Sequence, residues 1–251
     1  MPDHRLAVIK DQSNAKAQCS SSDIARELSD RLQGEVRFST HDRLLYATDA
    51  SLYQAMPIGV VVPASIDDAG EAIRYAAEKK LPLLPRGGGT SLAGQAVNAA
   101  LVIDFSTNCH AILNIDAARR EAQVEPGVVL DHFNRALAPH GLMFGPDVAT
   151  STHANLGGMI GNNSAGAHSI LYGRTVEHVL GLDVMLADGT RLTLEEGASE
   201  RDERIATLTT QVVEVVMSLE TMIDQRFPKT LRRVNGYNLD LMLEQIRRST
   251  P

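Results

Sequence analysis

The stretch PRGGGTSLAGQAV, residues 85–97, follows an apolar run and sets three consecutive glycines between Arg86 and the hydroxyl residues Thr90 and Ser91. Glycine tolerates positive φ and lets a ligand approach the backbone, so the amide N–H groups of such a loop can converge on an anion. The pattern therefore predicts a phosphate cradle at the end of a strand, with a plain tight turn as the alternative. Arg86 either contacts the anion or anchors the loop.

The chain carries a second glycine-rich segment, GPDVATSTHANLGGMIGNNSAGAHSILYGRT, at residues 145–175. The first loop matches neither GxxxxGK[ST] nor a GxGxxG turn that opens a helix, which argues against the common nucleotide loops. A segment as long as the second one, without regular structure, is uncommon in a compact domain unless it serves a ligand. The two segments together predict one extended ligand with a diphosphate in its middle.

Apolar periodicity divides most of the chain into helices and strands. Spacings of three and four indicate helices at 22–32, 65–80, from about 129 to a stop at Gly141, and 203–225. Short apolar or alternating runs indicate strands at 59–63, 81–85, 101–105, 112–115, 121–125, 179–187 and 191–194. The mixture of βα units and hairpins predicts an α+β domain.

Composition excludes several classes of function. The net charge of −7 and the pI near 5.6 argue against a protein that grips nucleic acid or an anionic membrane. No apolar run reaches the length of a membrane-spanning segment or a signal peptide, so we expect a cytoplasmic protein without a transmembrane segment. Cys19 and Cys109 are isolated, and the histidines form no HxH, HxxxH or HExxH motif, so we expect no metal site.

Several motifs occur in an order that resembles a known family. The order is PRGGGTSLAGQAV, LVIDFS, VEPGV, GPDVATSTHANLGGMIGNNSAG and YGRTVEHVLGLDVMLADG. It resembles the FAD-binding domain of the flavoprotein superfamily that contains vanillyl-alcohol oxidase and p-cresol methylhydroxylase. The likeness runs from about residue 38 to 194 and is strongest to the FAD-linked D-2-hydroxyacid dehydrogenases, which oxidise D-lactate, glycolate or D-2-hydroxyglutarate.

The resemblance implies a two-subdomain FAD-binding fold of the p-cresol methylhydroxylase type. Its FAD-binding domain would occupy residues 21–200, with subdomains at about 21–107 and 108–200, behind a flexible arm at 1–20. Residues 201–251 would hold a C-terminal helix and the start of a truncated cap domain, so the cap is expected to be absent or only begun. Since such enzymes usually supply the catalytic base from the cap, the catalytic residues stay unknown.

The resemblance also implies which residues hold the FAD. A first set would wrap the pyrophosphate and the ribityl side: Arg86, Gly87, Gly88, Gly89, Thr90, Ser91, Gly94 and Gln95. A second set would line the flavin and the diphosphate, continue along the cofactor and close the site: Pro146, Asp147, Thr150, Ser151, Thr152, Gly157, Gly158, Ile160, Asn162, Asn163, Ser164, Gly166, Tyr172 and Gly173. Relatives that bind flavin covalently often carry histidine where Thr90 stands, so we expect non-covalent FAD.

The reaction implied is oxidation of a 2-hydroxy acid to the 2-oxo acid by hydride transfer to flavin N5. The alternative is a non-catalytic FAD-carrying subunit or fragment that needs a partner chain for substrate. The electron acceptor is open, with an iron–sulfur module or subunit as one candidate. A homo-oligomer and a piece of a longer enzyme are further alternatives that the sequence leaves open. His153 and His168 either bond to loop backbone or transfer a proton near the flavin, and Asp147 is expected to be structural.

Overall fold

A computed structural model describes residues 20–230 and 237–249, and the backbone of residues 7–8. Its contacts divide the chain into two compact units. The first unit comprises the residues up to 178 together with 185–190, and the second comprises 179–184 and the residues from 191 onward. Most of the predicted arm, at 1–6 and 9–19, and residues 231–236 and 250–251 of the predicted cap start lie outside the described residues.

The first unit is organised around a four-stranded sheet. Its strands are β2 (Glu35–Arg37), β4 (Gly59–Val62), β6 (Leu101–Asp104) and β5 (Leu83–Arg86), in that spatial order. The last three run parallel, whereas β2 pairs with β4 in the antiparallel sense. Two short strands, β1 (Ala7–Val8) and β3 (Tyr53–Gln54), pair separately.

Helices cover one face of this sheet and leave the other to a smaller cluster. Helices α1 (Ser21–Arg31) and α3 (Ile66–Lys79) pack against it through a core that contains Leu28, Tyr75, Val61 and Ile103. Helix α2 (Thr40–Leu45) precedes Tyr46, which packs against the opposite face. Because both faces are covered, the central strands β4 and β6 consist of consecutive apolar residues, GVVV and LVI, and β6 then ends at Asp104.

A second cluster in the same unit forms beyond the sheet. Strands β7 (Ile112–Asp116) and β8 (Glu121–Val124) make an antiparallel hairpin, and helix α4 (Leu130–Leu137) follows. Phe133 of α4 packs with Leu156 and Met159 of helix α5 (Leu156–Asn162). The fully buried Cys109 lies at the start of this region, where its carbonyl oxygen accepts the amide of Gly127 at 2.8 Å.

The segment 145–175 differs from its prediction as a stretch without regular structure. It contains α5 and the short helix α6 (Ser169–Tyr172), and a 3-10 turn at Thr175–His178 ends it. The glycines of α5 disfavour a helix, but Leu156 and Met159 bury their side chains in the adjacent cluster. Tertiary packing therefore stabilises helix α5, which local sequence patterns do not predict.

The second unit is mostly helical. Strand β9 (Gly181–Met185), of which this unit holds residues 181–184, pairs with β10 (Arg191–Glu195). The helices of the unit are α7 (Ala198–Arg201), α8 (Glu203–Ser218), α9 (Glu220–Arg226) and α10 (Leu239–Ser249). Val216, Ile223 and Leu243 form its core. The single helix predicted at 203–225 is wrong, because the chain leaves helical geometry at Leu219. None of the described helices is both long enough and apolar enough to cross a membrane.

Candidate functional site

The glycine loop lies at the carboxyl edge of the parallel strands. Strand β5 ends at Arg86 and β6 ends at Asp104, and these two residues are paired in register. Ligands of parallel sheets bind beyond this edge, where loops rather than side-chain layers meet the solvent. The backbone amides of Gly87, Gly88, Gly89 and Thr90 donate to no acceptor within the described part of the chain. They are available to bind an anion.

The guanidinium of Arg86 anchors the loop by hydrogen bonds to three backbone carbonyl oxygens. Its Nη1 donates to the carbonyl oxygens of Tyr46 (3.0 Å) and Ala96 (2.8 Å), and its Nη2 donates to that of Thr48 (2.8 Å). Burial lowers the pKa of this guanidinium, although neighbouring carboxylates oppose the shift. Of the two roles that the sequence leaves open for Arg86, the structure shows anchoring by the side chain.

Tyr46 and Asp104 extend this anchor. The Tyr46 hydroxyl donates to Oδ2 of Asp104 at 2.7 Å, while Oδ1 accepts the amide (2.8 Å) and the hydroxyl (2.6 Å) of Ser106. Asp104 is buried. Burial, reinforced by the hydrogen bond to Asp104, raises the pKa of Tyr46 above its usual value. The end of β6 is therefore tied to the segment that holds Arg86.

The rest of the first predicted set forms a closed turn. Oγ of Ser91 accepts the amides of Ala93 (3.3 Å) and Gln95 (3.2 Å) and also contacts the side-chain oxygen of Gln95. Gly94 adopts a φ of 81°, and a Cβ there would lie 2.6 Å from Cδ2 of Tyr53. Ser91, Gly94 and Gln95 thus shape the loop by contacts with one another and with Tyr53.

The two glycine-rich segments meet at Gly87 and Gly88. A Cβ on Gly87 would lie 2.6 Å from Oδ1 of Asn155, and one on Gly88 would collide with the backbone oxygen of His153. Asn155 precedes α5 and is only 3% exposed. Its Nδ2 donates to the carbonyl oxygen of Gly127, whereas its Oδ1 has no hydrogen-bond partner among the described residues. Bare backbone is required at both glycines because the second segment packs directly against them.

The segment before α5 is held by its own backbone. The carbonyl oxygen of Thr150 accepts the amides of His153 and Ala154, both at 2.8 Å, and that of Ser151 accepts the amide of Asp131 at 3.1 Å. Thr152 bonds through Oγ1 to the His153 ring at 2.7 Å. The ring of His153 therefore bonds to a side chain of its own loop rather than to the backbone.

The glycines of helix α5 differ in what lies next to them. Gly157 packs against Pro126, where a Cβ would lie 2.7 Å from the proline Cβ. A Cβ on Gly158 or Gly161 would meet open space, and Ile160 is half-buried. Gly158 is therefore exposed, whereas Gly157 is packed against a neighbouring segment.

The far end of α5 is closed by Asn163. This residue has a φ of 46°, and its Oδ1 accepts the amide of Val176 at 3.0 Å. Its Nδ2 is buried without a partner in the described residues. Asn162 donates from Nδ2 to Oγ of Ser164 at 3.0 Å, and the carbonyl oxygen of Ser164 accepts both the amide and the hydroxyl of Thr175.

A last group surrounds Asp147. Its carboxylate accepts Nδ1 and, at 3.3 Å, the amide of His168, and the side-chain bond from His168 lowers the pKa of Asp147. Gly166 packs directly on Asp147, beside the buried Pro146. The His168 ring meets the edge of Tyr172, 6.1 Å between centroids. Gly173 follows with a φ of 73°.

Comparison with known proteins identifies the domain. A protein-family model described as an FAD binding domain matches residues 57–195, more than half of the chain. The chain belongs to this family of FAD-binding domains. It is 37% identical over 216 residues to D-2-hydroxyglutarate dehydrogenase of Pantoea ananatis, a match that covers 82% of this chain and 21% of that protein. It is 36% identical over 154 residues to the glycolate oxidase subunit GlcD of Bacillus subtilis, covering 60% and 33% respectively.

Solved structures share the fold of the FAD-binding domain. A structure of alkyldihydroxyacetonephosphate synthase superposes with a TM-score of 0.63 at 18% identity, covering 74% of this chain and 37% of that one. The expected α+β fold, the resemblance to FAD-linked hydroxyacid dehydrogenases and FAD as the cofactor are confirmed. The chain spans about a fifth of the length of the D-2-hydroxyglutarate dehydrogenases that it matches.

The residues present fit FAD. The unpaired amides of the glycine loop suit a diphosphate. Two side-chain atoms before and after helix α5, Oδ1 of Asn155 and Nδ2 of Asn163, are buried without a hydrogen-bond partner in the described residues. Sequence reasoning missed Asn155, Tyr46 and Asp104. An aspartate at the end of a buried strand is the signal that points to Asp104.

Proposed function

We propose that this domain is the FAD-binding part of a flavin-dependent dehydrogenase or oxidase that converts a 2-hydroxy acid, such as D-lactate or glycolate, to the 2-oxo acid. The observation that carries the proposal is the meeting of the two glycine-rich segments at Gly87 and Asn155 beside four unpaired amides. The names of the relatives, a D-2-hydroxyglutarate dehydrogenase and a glycolate oxidase subunit, support the substrate class. We infer that the protein acts in the cytoplasm.

In this proposal the loop amides at 87–90 hold the diphosphate, while Arg86 and Tyr46 keep the loop in place from below. Gly158 allows the cofactor to approach α5, because its Cβ position is open. The remaining residues predicted from the resemblance shape or continue this surface. Bound FAD supplies a hydride acceptor for the α-carbon of the hydroxy acid.

Non-covalent binding is part of the proposal. Thr90 stands where covalent relatives carry histidine, and a threonine hydroxyl is a weak nucleophile unless an adjacent base activates it. FAD held only by hydrogen bonds and packing leaves the protein when the protein is denatured. We therefore expect the flavin to dissociate in acid.

A second candidate is a non-catalytic subunit that carries FAD for a partner chain. The relative named as a subunit of glycolate oxidase favours it. An iron–sulfur module or subunit would then accept the electrons, and a homo-oligomer remains compatible with either candidate. The two candidates differ in whether the purified protein oxidises a hydroxy acid by itself.

The first experiment is visible absorption spectroscopy of the purified protein, before and after titration with FAD. We expect flavin bands that move to the supernatant after acid precipitation. Turnover of D-lactate or glycolate with a dye acceptor supports the dehydrogenase, and bound flavin without turnover supports the subunit. A folded protein that takes up no FAD contradicts both.

A matched pair of variants locates the cofactor. Gly158→Leu fills open space on α5, so the protein should fold while its affinity for FAD falls at least about tenfold. Ser29→Leu adds a comparable side chain at an exposed position of α1 and should leave the affinity unchanged. Equal affinities in the two variants would place the cofactor away from α5.

A further inference from the structure

Asp147 and His168 are joined at two points across twenty-one positions of the second glycine-rich segment. One carboxylate oxygen of Asp147 accepts a hydrogen bond from Nδ1 of the His168 ring, and the other accepts the backbone amide of His168 at 3.3 Å. The bond from the ring lowers the pKa of Asp147, so the acceptor is an ionised carboxylate at neutral pH. Hydrogen bonds to an ionised acceptor are stronger than those between neutral groups.

Two glycines allow the start and the end of this segment to approach each other. A Cβ on Gly166 would collide with Oδ1 of Asp147, and a Cβ on Gly145 would lie 3.1 Å from Cβ of Tyr172. The ring of Tyr172 in turn meets the ring of His168 at its edge. A larger residue at position 166 would push the carboxylate away from His168, so glycine is required for the contact.

The contact closes a loop that carries surface available to FAD. Within this loop, the carbonyl oxygen of His153 lies against Gly88 of the glycine loop, and the Cβ position of Gly158 faces open space. The amides of His153 and Ala154 both bond to the carbonyl oxygen of Thr150, which orders the turn before α5. Asp147 and His168 therefore join the two ends of the segment that supplies the second half of the candidate site.

The pair is too exposed to contribute much to the stability of the fold. The exposed fraction is 70% for the His168 side chain and 29% for that of Asp147. Ion pairs at exposed positions contribute little to the free energy of unfolding, because water screens them. A contact that orders a loop before a ligand arrives does favour binding, since the loop then loses less conformational entropy when the ligand binds.

We propose that the closing contact between Asp147 and His168 keeps residues 147–168 in the arrangement that binds FAD. Both are positioning residues, which act on the affinity for FAD through the loop that they close. This inference rests on the proposed function. It assigns a role to His168, which is not among the binding residues that the resemblance implies, and it gives Asp147 the structural role expected from the sequence.

The first test measures hydrogen exchange of backbone amides in the protein without FAD. In His168→Ala the amides of His153 and Ala154 should exchange at least about 5-fold faster, because the loop that holds them opens more often. The amide of Val61, in the central sheet, should exchange at an unchanged rate. Unchanged exchange at both loop amides would overturn the closing contact.

The second test measures dissociation constants for FAD. His168→Ala and Asp147→Ala should each bind FAD about 5- to 10-fold more weakly than the unmodified protein. The double variant should bind no more weakly than either single variant, because the same contact is lost in all three. His168→Arg should stay within about 2-fold of the unmodified protein, because a guanidinium also donates to a carboxylate.

Arg119→Ala is the matched control. The side chain of Arg119 is also 70% exposed, and it pairs with Glu121 at 3.1 Å at the turn between β7 and β8. Its removal should leave both the exchange rates and the affinity for FAD unchanged. Thermal unfolding without FAD should shift by less than about 4 °C in each single variant, which separates a positioning role from a loss of fold.

The outcomes distinguish the inference from the function on which it rests. If the unmodified protein fails to bind FAD, the proposed function fails, while the exchange rates still decide whether the closing contact orders the loop. If the protein binds FAD but His168→Ala binds it equally well, the function stands and the positioning role is overturned. Losses that add in the double variant, or a His168→Arg variant as weak as His168→Ala, overturn it as well.

Discussion

The guanidinium carbon of Arg86 lies 5.3 Å from the centre of the Tyr46 ring, and Nη1 of the same arginine donates to the Tyr46 carbonyl oxygen at 3.0 Å. Tyr46 in turn donates its hydroxyl to Asp104. The guanidinium thus contacts the aromatic ring, and the hydroxyl of that ring bonds to the carboxylate. The loop is held by residues that do not need to contact the cofactor.

The hydroxyl of Tyr46 should contribute measurably to stability. In Tyr46→Phe the ring remains under Arg86, but Oδ2 of the buried Asp104 loses its partner, so the free energy of unfolding should fall by about 2 kcal/mol. Urea denaturation monitored by circular dichroism measures this. Tyr53→Phe, at a ring that is 43% exposed, should change stability by less than about 0.5 kcal/mol. Equal losses in the two variants would contradict the assignment.

The same tyrosine should make the protein sensitive to alkali. Its pKa is raised in the folded state by burial and then by Asp104, so the folded protein binds the phenolic proton more tightly than the unfolded chain does. This contribution is complete below the unfolded pKa of about 10 and is lost as the pH rises toward the folded pKa. The unfolding free energy should therefore decline above about pH 10, and the decline should be shallower in Tyr46→Phe.

Asp147 should titrate below its usual range because of His168. The side-chain bond from His168 is the largest cause of its lowered pKa, and His168→Ala should raise that pKa toward the ordinary value of an aspartate. The stabilising contact is present above the unfolded pKa and disappears as the pH falls through the folded one. Carbon NMR of the carboxylate measures the shift. His140→Ala, at a distant turn in sequence, should leave the Asp147 titration in place.

Two glycines of the site should respond oppositely to alanine. Gly88→Ala places a methyl group against the backbone oxygen of His153, which cannot rotate away, so we expect a loss of about 1–3 kcal/mol. Gly158→Ala meets open space within a helix and should gain about 0.5–1 kcal/mol. Thermal unfolding of the protein without FAD compares them. Similar shifts in both would mean that the two segments do not touch as described.

The elements with strong apolar periodicity could be predicted from the sequence. The predicted helix at 65–80 corresponds to α3, and the strand at 59–63 to β4, since each is bounded by residues that favour its ends, Ser65 and Pro63. The interruption at Leu219 could not be predicted. The spacing of apolar residues continues from Val216 to Ile223 across it, and neither glycine nor proline marks the break.

The glycine loop of the candidate site could be predicted from the sequence, but the side chains that hold it in place could not. Runs of glycine identify loops that approach a ligand closely, which is why residues 87–89 were found. Asn155 was not found, because in the string THANLGG it resembles the exposed polar residues around it. Its side chain contacts Gly87 and bonds to the carbonyl oxygen of Gly127, both distant in the sequence, and such long-range contacts leave no local pattern. The fourteen predicted contacts along 146–173 stay predictions.

Cys109 has a practical consequence of its own. The side chain is 0% exposed, and burial raises its pKa to about 11, so the thiol is both covered and protonated at neutral pH. Disulfide reagents can therefore modify the thiol only when the segment between β6 and β7 unfolds locally. In a protein with Cys19 replaced by serine, the rate of that modification measures how often this region opens. The chain carries its own probe of how often the sheet and the following hairpin separate.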